Sequence, residues 1–176
     1  MNPRTNGSQE LRLGPRSASV DSQAEVAHSR IRVLFVCTGN SARSLLGEAL
    51  LRHHGGDHFE VLSAGTHPAG VNPLTIRVLA EAGIPTDGLR SKSVNDFLDQ
   101  TFDYVITVCD DARQVCPVFP GVHESLHWGY DDPAVVEGDE ATRLAAFRRT
   151  ATAMGERVKQ FATLVHRAAV TASDRA

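Results

Sequence analysis

A cysteine and an arginine separated by five residues, Cys37 and Arg43, stand between an apolar run and a helical pattern. Residues 31–36 are apolar and rich in β-branched side chains, which is typical of a strand buried on both faces. Apolar residues then recur at helical spacing over 45–50, so we expect a helix to begin near position 43 or 44. A strand that turns sharply into a helix directs loop N–H groups and the helix N-terminus at one point, which suits a tetrahedral oxyanion.

The side chains of this loop supply the matching chemistry. Arg43 offers a planar fork for two oxygens of the anion, and Cys37 in the same positive field should be a thiolate near neutral pH. Gly39 and Asn40 tolerate backbone angles closed to most residues, and the Ser44 hydroxyl can donate to the thiolate. The predicted anion-binding residues are Thr38, Gly39, Asn40, Ser41, Ala42, Arg43 and Ser44. The alternative is a structural cysteine buried at a strand end.

The rest of the chain alternates strand and helix patterns, which predicts a single α/β domain. We expect a four-stranded parallel sheet flanked by helices on both faces. The further strands are predicted at 59–62, 104–108 and 122–128, with Ser63 to Thr66 as a loop. The further helices are predicted from Asn72-Pro73, over 94–98, and from Asp139 through Val165.

Reactive residues follow the buried strands, so they should meet at the carboxyl edge of the sheet. Cys37 and Cys109 each end a strand, and Asp131-Asp132 follows the fourth. Asp132 is our candidate general acid, because displacing an oxygen from a bound oxyanion requires protonation of that oxygen. The alternative for Asp132-Pro133 is a plain turn, which Asp and Pro both favour.

Two further cysteines, Cys109 and Cys116, frame a polar segment. A nucleophilic thiol with two more thiols nearby can run a disulfide relay, and the alternative is one buried and one incidental cysteine. Zinc is a weaker idea: His123 and His127 lie downstream, but a Cys-x6-Cys spacing lies outside the usual ligand pattern. We predict no metal site, expect these histidines to be ordinary surface residues, and assign Trp128 to packing.

Length and composition limit the remaining possibilities. A chain of 176 residues with a formal net charge of −3 and no strongly basic segment is a poor candidate for nucleic acid or anionic membranes. Three cysteines at irregular spacing fit reduced thiols in a cytoplasm. Residues 1–29 are polar and aperiodic, which predicts a disordered extension before a domain over 30–168 and a flexible end over 169–176.

Taken together, these residues resemble the low-molecular-weight tyrosine phosphatase superfamily and, within it, the thioredoxin-coupled arsenate reductases. The superfamily motifs are Cys-Thr-Gly-Asn-Ser-Ala-Arg-Ser at 37–44, Ser-Ala-Gly-Thr at 63–66 and Asp132-Pro133. The reductase branch is matched by Cys109, Cys116-Pro117 and Trp-Gly-Tyr-Asp-Asp-Pro at 128–133. The resemblance covers about residues 31–165.

The resemblance implies a mechanism for reducing arsenate. Cys37 would attack arsenic while Asp132 protonates the departing oxygen, Cys109 would then form a disulfide with Cys37 and release arsenite, and Cys116 would take over the disulfide from Cys37. Thioredoxin would reduce the 109–116 bond as an external reductant, and no bound cofactor is implied. Some of these reductases bind potassium near the loop. Without an acidic partner near Val94, we do not predict potassium here.

Two other functions remain open at this stage. A tyrosine phosphatase would use Cys37, Arg43 and Asp132 alone, yet Ala-Val-Val at 134–136 replaces the tyrosines that usually grip an aryl substrate in that family. An oxyanion-binding or redox-sensing module would keep the loop and would not need Asp132.

Overall fold

The apolar run before the anion loop forms an inner strand of a parallel sheet. The computed structural model describes residues 30–121 and 123–173. Its strands are β1 (Ile31–Cys37), β2 (Phe59–Gly65), β3 (Tyr104–Thr107) and β4 (Glu124–His127), and they form one 4-stranded sheet in the order β2-β1-β3-β4. All pairings are parallel, so the predicted α/β architecture is confirmed.

β1 occupies the centre of the core. Residues 33–37 are buried without interruption, which a strand tolerates only when both faces of the sheet are covered. In register, Cys37 lies opposite Gly65 of β2, and Val36 lies opposite Thr107 of β3. The inner strands therefore end at the same edge, and the loops that follow them meet there.

Four helices pack around the sheet. They are α1 (Arg43–Gly55), α2 (Pro73–Glu81), α3 (Asp110–Val115) and α4 (Glu140–Ser173), and short 3-10 turns cover Gly56–His58, Val94–Phe97 and Pro133–Val135. The predicted cap of α2 is present, because the Asn72 side chain accepts the Leu74 N–H at 2.9 Å. The long amphipathic helix expected near the C-terminus is α4, which packs along α1 and has Met154 and Val158 buried in the core.

Several predicted boundaries were wrong by a few residues. The stretch Ser63–Gly65, expected as a loop, continues β2, because its backbone pairs in register with residues 35–37 of β1. β3 ends at Thr107, and β4 begins at Glu124 and ends before Trp128. The last helix, expected from Asp139 through Val165, begins at Glu140 and reaches Ser173.

Two of the sequence predictions fall largely on undescribed positions. The extension over 1–29 lies outside the described residues, as do positions 174–176. Within residues 30–121 and 123–173, no helix combines the length and the apolar character that crossing a membrane requires.

Two glycines inside helices provide a test of the packing. A Cβ added at Gly47 of α1 would lie 2.7 Å from a ring carbon of Phe35, whereas one added at Gly155 of α4 would meet its nearest neighbour, Leu50, at 3.5 Å. We expect Gly47→Ala to destabilise the protein by about 1–3 kcal/mol through overpacking. Gly155→Ala should stabilise it by roughly 0.5–1 kcal/mol, because alanine loses less backbone entropy in a helix. Urea unfolding of both variants measures this, and equal shifts in the midpoint would contradict the packing described for β1 and α1.

Candidate active site

The loop between β1 and α1, which we call the anion loop (residues 37–43), has its carbonyl groups turned outward. N–H groups of the segment after β2 bind four of them, pairing Thr66 with Cys37 at 3.1 Å, His67 with Thr38 at 2.8 Å, Ala69 with Gly39 at 2.9 Å and Asn72 with Ser41 at 3.0 Å. In a trans peptide the C=O and the next N–H point in opposite directions. The N–H groups of residues 38, 39, 40 and 42 therefore face the inner side of the loop.

The Cys37 sulfur lies at the base of this ring of N–H groups. The Asn40 N–H donates to Sγ at 3.1 Å, and the Ser44 hydroxyl lies 2.9 Å from the same atom. Cys37 and Ser44 are both buried, and α1 begins at Arg43, so its positive end adds to the field. An N–H group, a hydroxyl and a helix N-terminus therefore converge on one sulfur atom.

Backbone conformation in the anion loop differs in one detail from the expectation. Asn40, with φ of 42°, adopts the left-handed region, and Gly39 does not. The glycine that the loop requires is Gly65 at the end of β2: a Cβ there would lie 2.6 Å from the Thr38 carbonyl oxygen and 2.8 Å from the Asn40 nitrogen. Only a residue without a side chain allows β2 to approach the anion loop this closely.

Arg43 and Asp132 form an ion pair across the mouth of the loop. A guanidinium nitrogen of Arg43 lies 2.5 Å from Asp132 Oδ2, and another donates to the Tyr130 carbonyl at 3.1 Å. The second oxygen of Asp132, Oδ1, accepts the Ala134 N–H at 3.0 Å and caps the 3-10 turn that follows. The turn role and the placement beside the anion loop, considered as alternatives from the sequence, coexist in one side chain.

Trp128 anchors the segment that carries Asp132. Its ring is buried and packs edge-on against Phe35 of β1 at 5.7 Å and Phe161 of α4 at 5.5 Å between centroids. The Arg157 guanidinium lies over the ring at 4.9 Å. The packing role predicted for Trp128 is confirmed.

The second cysteine lies beside the anion loop. Cys109 is buried, it forms the N-cap of α3, and its sulfur is 3.5 Å from the Thr38 hydroxyl. Thr38 is the chain neighbour of Cys37, so two of the three thiols share one corner of the site. The sequence predicted that Cys37 and Cys109 lie at the same edge of the sheet. The contact of Cys109 with Thr38 shows that Cys109 lies next to the anion loop.

The third cysteine is held away from the other two by α3. Cys116 follows the last helical residue, and six helical residues separate it from Cys109. At a rise of ~1.5 Å per residue, their Cα atoms are roughly 10 Å apart. A disulfide requires no more than ~7 Å. Burial raises the pKa of the Cys116 thiol, so this thiol is less reactive in its present surroundings than an exposed one.

A hydrogen-bonded histidine ties α3 to the sheet, which the sequence analysis missed. His127 Nε2 lies 2.9 Å from Asp110 Oδ1 in the first turn of α3, and Nδ1 lies 2.9 Å from the Thr107 hydroxyl. The expectation that His127 is an ordinary surface residue was wrong. Its only sequence signal is its position at the end of a strand, next to Trp128. In the described part of the chain, no cluster of three or more His, Cys, Asp or Glu residues could hold a metal.

Comparison with known proteins places this geometry in a family. Residues 32–171 match the family described as low molecular weight phosphotyrosine protein phosphatase. The chain belongs to this family.

Several of its relatives carry a different name. An arsenate reductase of Halalkalibacterium halodurans is 41% identical over 130 residues, which are 74% of this chain and 94% of that protein. The structure of a thioredoxin-dependent arsenate reductase of Corynebacterium glutamicum is 31% identical, with a TM-score of 0.63, over 81% of this chain and 65% of that one. That of an arsenate reductase from Archaeoglobus fulgidus is 30% identical, with a TM-score of 0.61, over 74% of this chain and 98% of that one.

The surroundings of the Cys37 sulfur predict its reactivity. Alkylation of Cys37 by iodoacetamide should already be fast at pH 7, because the Asn40 N–H, the Ser44 hydroxyl and the N-terminus of α1 face its sulfur. A free thiol is only about 3% ionised at that pH. Mass spectrometry of the labelled peptides should find Cys37 modified at least tenfold faster than Cys116. Added phosphate or arsenate should slow the Cys37 reaction alone, and a rate that rises only above pH ~8.5 would contradict this account.

Proposed function

We propose that this protein reduces arsenate to arsenite through a relay of its three thiols, Cys37, Cys109 and Cys116, with thioredoxin as the external reductant. The observation that carries the proposal is the contact of Cys109 with Thr38 at 3.5 Å, because it supplies a second thiol at the anion loop. Hydrolysis of a phosphate ester has no use for such a thiol, whereas a two-electron reduction requires one. The relatives named arsenate reductase support the same choice.

The first step binds and activates arsenate, which has the shape and charge of phosphate. Its oxygens would take the inward N–H groups of the anion loop and the fork of Arg43. That fork is held by Asp132 in the present structure, so the arriving anion would compete with the carboxylate and release it toward the leaving oxygen. Cys37 then attacks arsenic and forms a sulfur–arsenic bond. Asp132 passes a proton that arrives with the hydrogen arsenate to the displaced hydroxyl, which leaves as water.

The second step transfers the electrons. The Cys109 thiolate attacks the Cys37 sulfur, the sulfur–arsenic bond breaks, and its electron pair stays on arsenic. Arsenic(V) becomes arsenic(III), arsenite departs, and a disulfide joins Cys37 to Cys109. The position of the Cys109 sulfur beside Thr38 of the anion loop supports this role.

The third step requires α3 to unwind. Cys116 attacks the Cys109 sulfur, Cys37 leaves as thiolate, and the new disulfide joins two residues that the intact helix holds too far apart. A single helix of 6 residues is inexpensive to unfold locally. Unwinding would also release the burial that raises the Cys116 pKa and would present the 109–116 disulfide to thioredoxin. Because the relay needs three reduced thiols at rest, we place the reaction in the cytoplasm.

Phosphomonoester hydrolysis is the second candidate function. The same loop, Arg43 and Asp132 would serve it, and the family description itself names phosphatases. Against it, Val135 beside the acid is exposed and aliphatic, where an aryl substrate would need an aromatic contact. Two assays separate the functions: arsenate-dependent NADPH oxidation with thioredoxin and its reductase, and release of an aryl alcohol from an aryl phosphate. Turnover of the aryl phosphate alone would overturn the reductase proposal.

Asp132→Asn tests the general acid. The amide keeps the cap on the following turn but cannot protonate an oxygen, so kcat with arsenate should fall by roughly 10²–10⁴-fold. Removal of the carboxylate also frees Arg43, so protection of Cys37 by arsenate should be at least as strong as in the wild type. Asp131→Asn is the matched control and should retain activity. Wild-type turnover in Asp132→Asn would reduce this residue to a turn former.

Cys116→Ser tests the relay. It should release one equivalent of arsenite per protein and then stop with a disulfide between Cys37 and Cys109, detectable by peptide mapping. Amide exchange of residues 110–115 should be faster in wild-type protein oxidised at 109–116 than in the reduced protein, because α3 must unwind. Repeated turnover of Cys116→Ser with thioredoxin would contradict the relay.

A further inference from the structure

A buried ion pair lies under the anion loop, and none of the steps above uses it. Glu48 of α1 is fully buried, Lys92 is 7% exposed, and Lys92 Nζ lies 3.0 Å from Glu48 Oε2. Burying two charges carries a large desolvation penalty, and apolar residues of the same volume would often be as stable. Such a pair therefore raises the question of what else it does.

The pair contacts two further elements. The Ser63 hydroxyl of β2 donates to Glu48 Oε2, and Arg52, one turn along α1, forms an ion pair with Oε1. The Lys92 main chain is also fixed, because its carbonyl accepts the Gly65 N–H at 2.9 Å. Arg43 and Asp132 lie at the mouth of the loop and pair with each other.

Lys92 also sets the orientation of Asn40. The Lys92 N–H donates at 2.7 Å to Asn40 Oδ1, and an N–H can only donate, so the oxygen end of the amide must face it. The NH₂ end of Asn40 then points at Ser44 Oγ and Ser63 Oγ, each at 2.8 Å.

This orientation determines the direction of every other hydrogen bond in the network. Both serine oxygens accept from the Asn40 amide, so each serine must send its own hydrogen elsewhere. Ser63 sends it to the Glu48 carboxylate, which can only accept while ionised. The remaining partner of the Ser44 hydroxyl is the Cys37 sulfur at 2.9 Å, which receives its hydrogen when Cys37 is a thiolate. A continuous series of hydrogen bonds thus links the Glu48 carboxylate to the Cys37 sulfur through Ser63, Asn40 and Ser44.

We propose that Lys92 is a positioning residue for Cys37: it keeps Glu48 ionised, and the ionised carboxylate orients the Ser63, Asn40 and Ser44 hydrogen bonds so that Ser44 donates to the sulfur. A buried carboxylate without its cation takes up a proton. A protonated Glu48 would offer a hydrogen to Ser63, which would free Ser63 to turn its own hydrogen against the Asn40 NH₂. The amide would lose its fixed place, and the thiolate would lose donors. This inference deepens the proposed function, because it rests on Cys37 as the nucleophile.

The decisive variant replaces the whole pair by apolar side chains. Glu48→Met combined with Lys92→Met removes both buried charges together, so the protein should fold with thermal stability close to that of the wild type. Residue 92 still donates its main-chain N–H to Asn40, but Ser63 has lost its acceptor, so the Ser63 hydrogen turns toward the Asn40 NH₂ and displaces the amide. The pH at half-maximal alkylation of Cys37 should rise by about one unit, so alkylation below that midpoint should slow about tenfold, as expected for the loss of one hydrogen bond to a charged group.

Three single variants show whether the effect comes from the positive charge of Lys92, from its place beside Glu48, or from the volume of its side chain. Lys92→Met should show the same shift in the alkylation profile together with reduced thermal stability, because it leaves Glu48 buried alone. Lys92→Arg should restore most of the wild-type profile, since it retains the cation. Arg52→Met is the matched control: Arg52 contacts the same carboxylate from a side chain that is 40% exposed, and its loss should leave the profile unchanged.

Two outcomes would overturn the inference. A double Met variant with the wild-type alkylation profile would reduce the pair to a packing role. An equal shift in Arg52→Met would show that Lys92 has no role distinct from that of the exposed cation on the same carboxylate. Because alkylation involves no arsenate, these results do not depend on the proposed function. If the wild type is alkylated readily at pH 7 but does not reduce arsenate, the reductase proposal fails and the role of Lys92 is still decided by the double variant.

Discussion

The active site depends on the hydrogen bonds that turn the carbonyl groups of the anion loop outward. Left alone, a short loop between a strand and a helix would expose C=O and N–H groups in both directions, and the carbonyls would repel an oxyanion. N–H groups of Thr66, His67, Ala69 and Asn72 bind these carbonyls from the segment after β2. The inward N–H groups are thereby fixed before any anion arrives, so binding requires little reorganisation.

The proposed relay places two opposing demands on the thiols. It requires Cys109 near Cys37, and the Thr38 contact and the end of β3 hold Cys109 there. It also requires that Cys116 does not react early, which the length of α3 and the burial that raises the Cys116 pKa would prevent. His127 strengthens the closed arrangement by joining the first turn of α3 to β3 and β4. A helix of 6 residues held by one such tie is stable at rest and can still open within a catalytic cycle.

The ion pair between Arg43 and Asp132 satisfies the guanidinium while no anion is bound. An unpaired guanidinium beside the buried Cys37 would be poorly solvated, and the carboxylate satisfies it. In the proposed reaction, an oxyanion would offer the same geometry with more charge and would replace the carboxylate. Asp132 stays nearby because its other oxygen caps the turn and because Trp128 fixes the preceding segment between β1 and α4.

The sequence by itself determined the local features of this protein. The strand–loop–helix order around Cys37, the Asn72 cap of α2 and the periodicity of α4 follow from residue types a few positions apart, and short-range sterics and hydrogen bonding decide them. The parallel order of strands and helices then places Cys37, Cys109 and Asp132 at one edge of the sheet, which required no knowledge of side-chain contacts.

Only the tertiary structure decided the contacts between distant parts of the chain. Turn-prone Ser63–Gly65 became strand because β1 lay beside it, and Gly65 proved necessary because the anion loop approaches within 2.6 Å of where its Cβ would be. Lys92 and Glu48 are 44 residues apart, and His127 and Asp110 are 17 apart. No local pattern predicts such partners, because a charged or polar residue looks the same in the sequence whether it lies in solvent or in a buried network. The burial of these side chains and the direction of their hydrogen bonds are decided only when the chain folds.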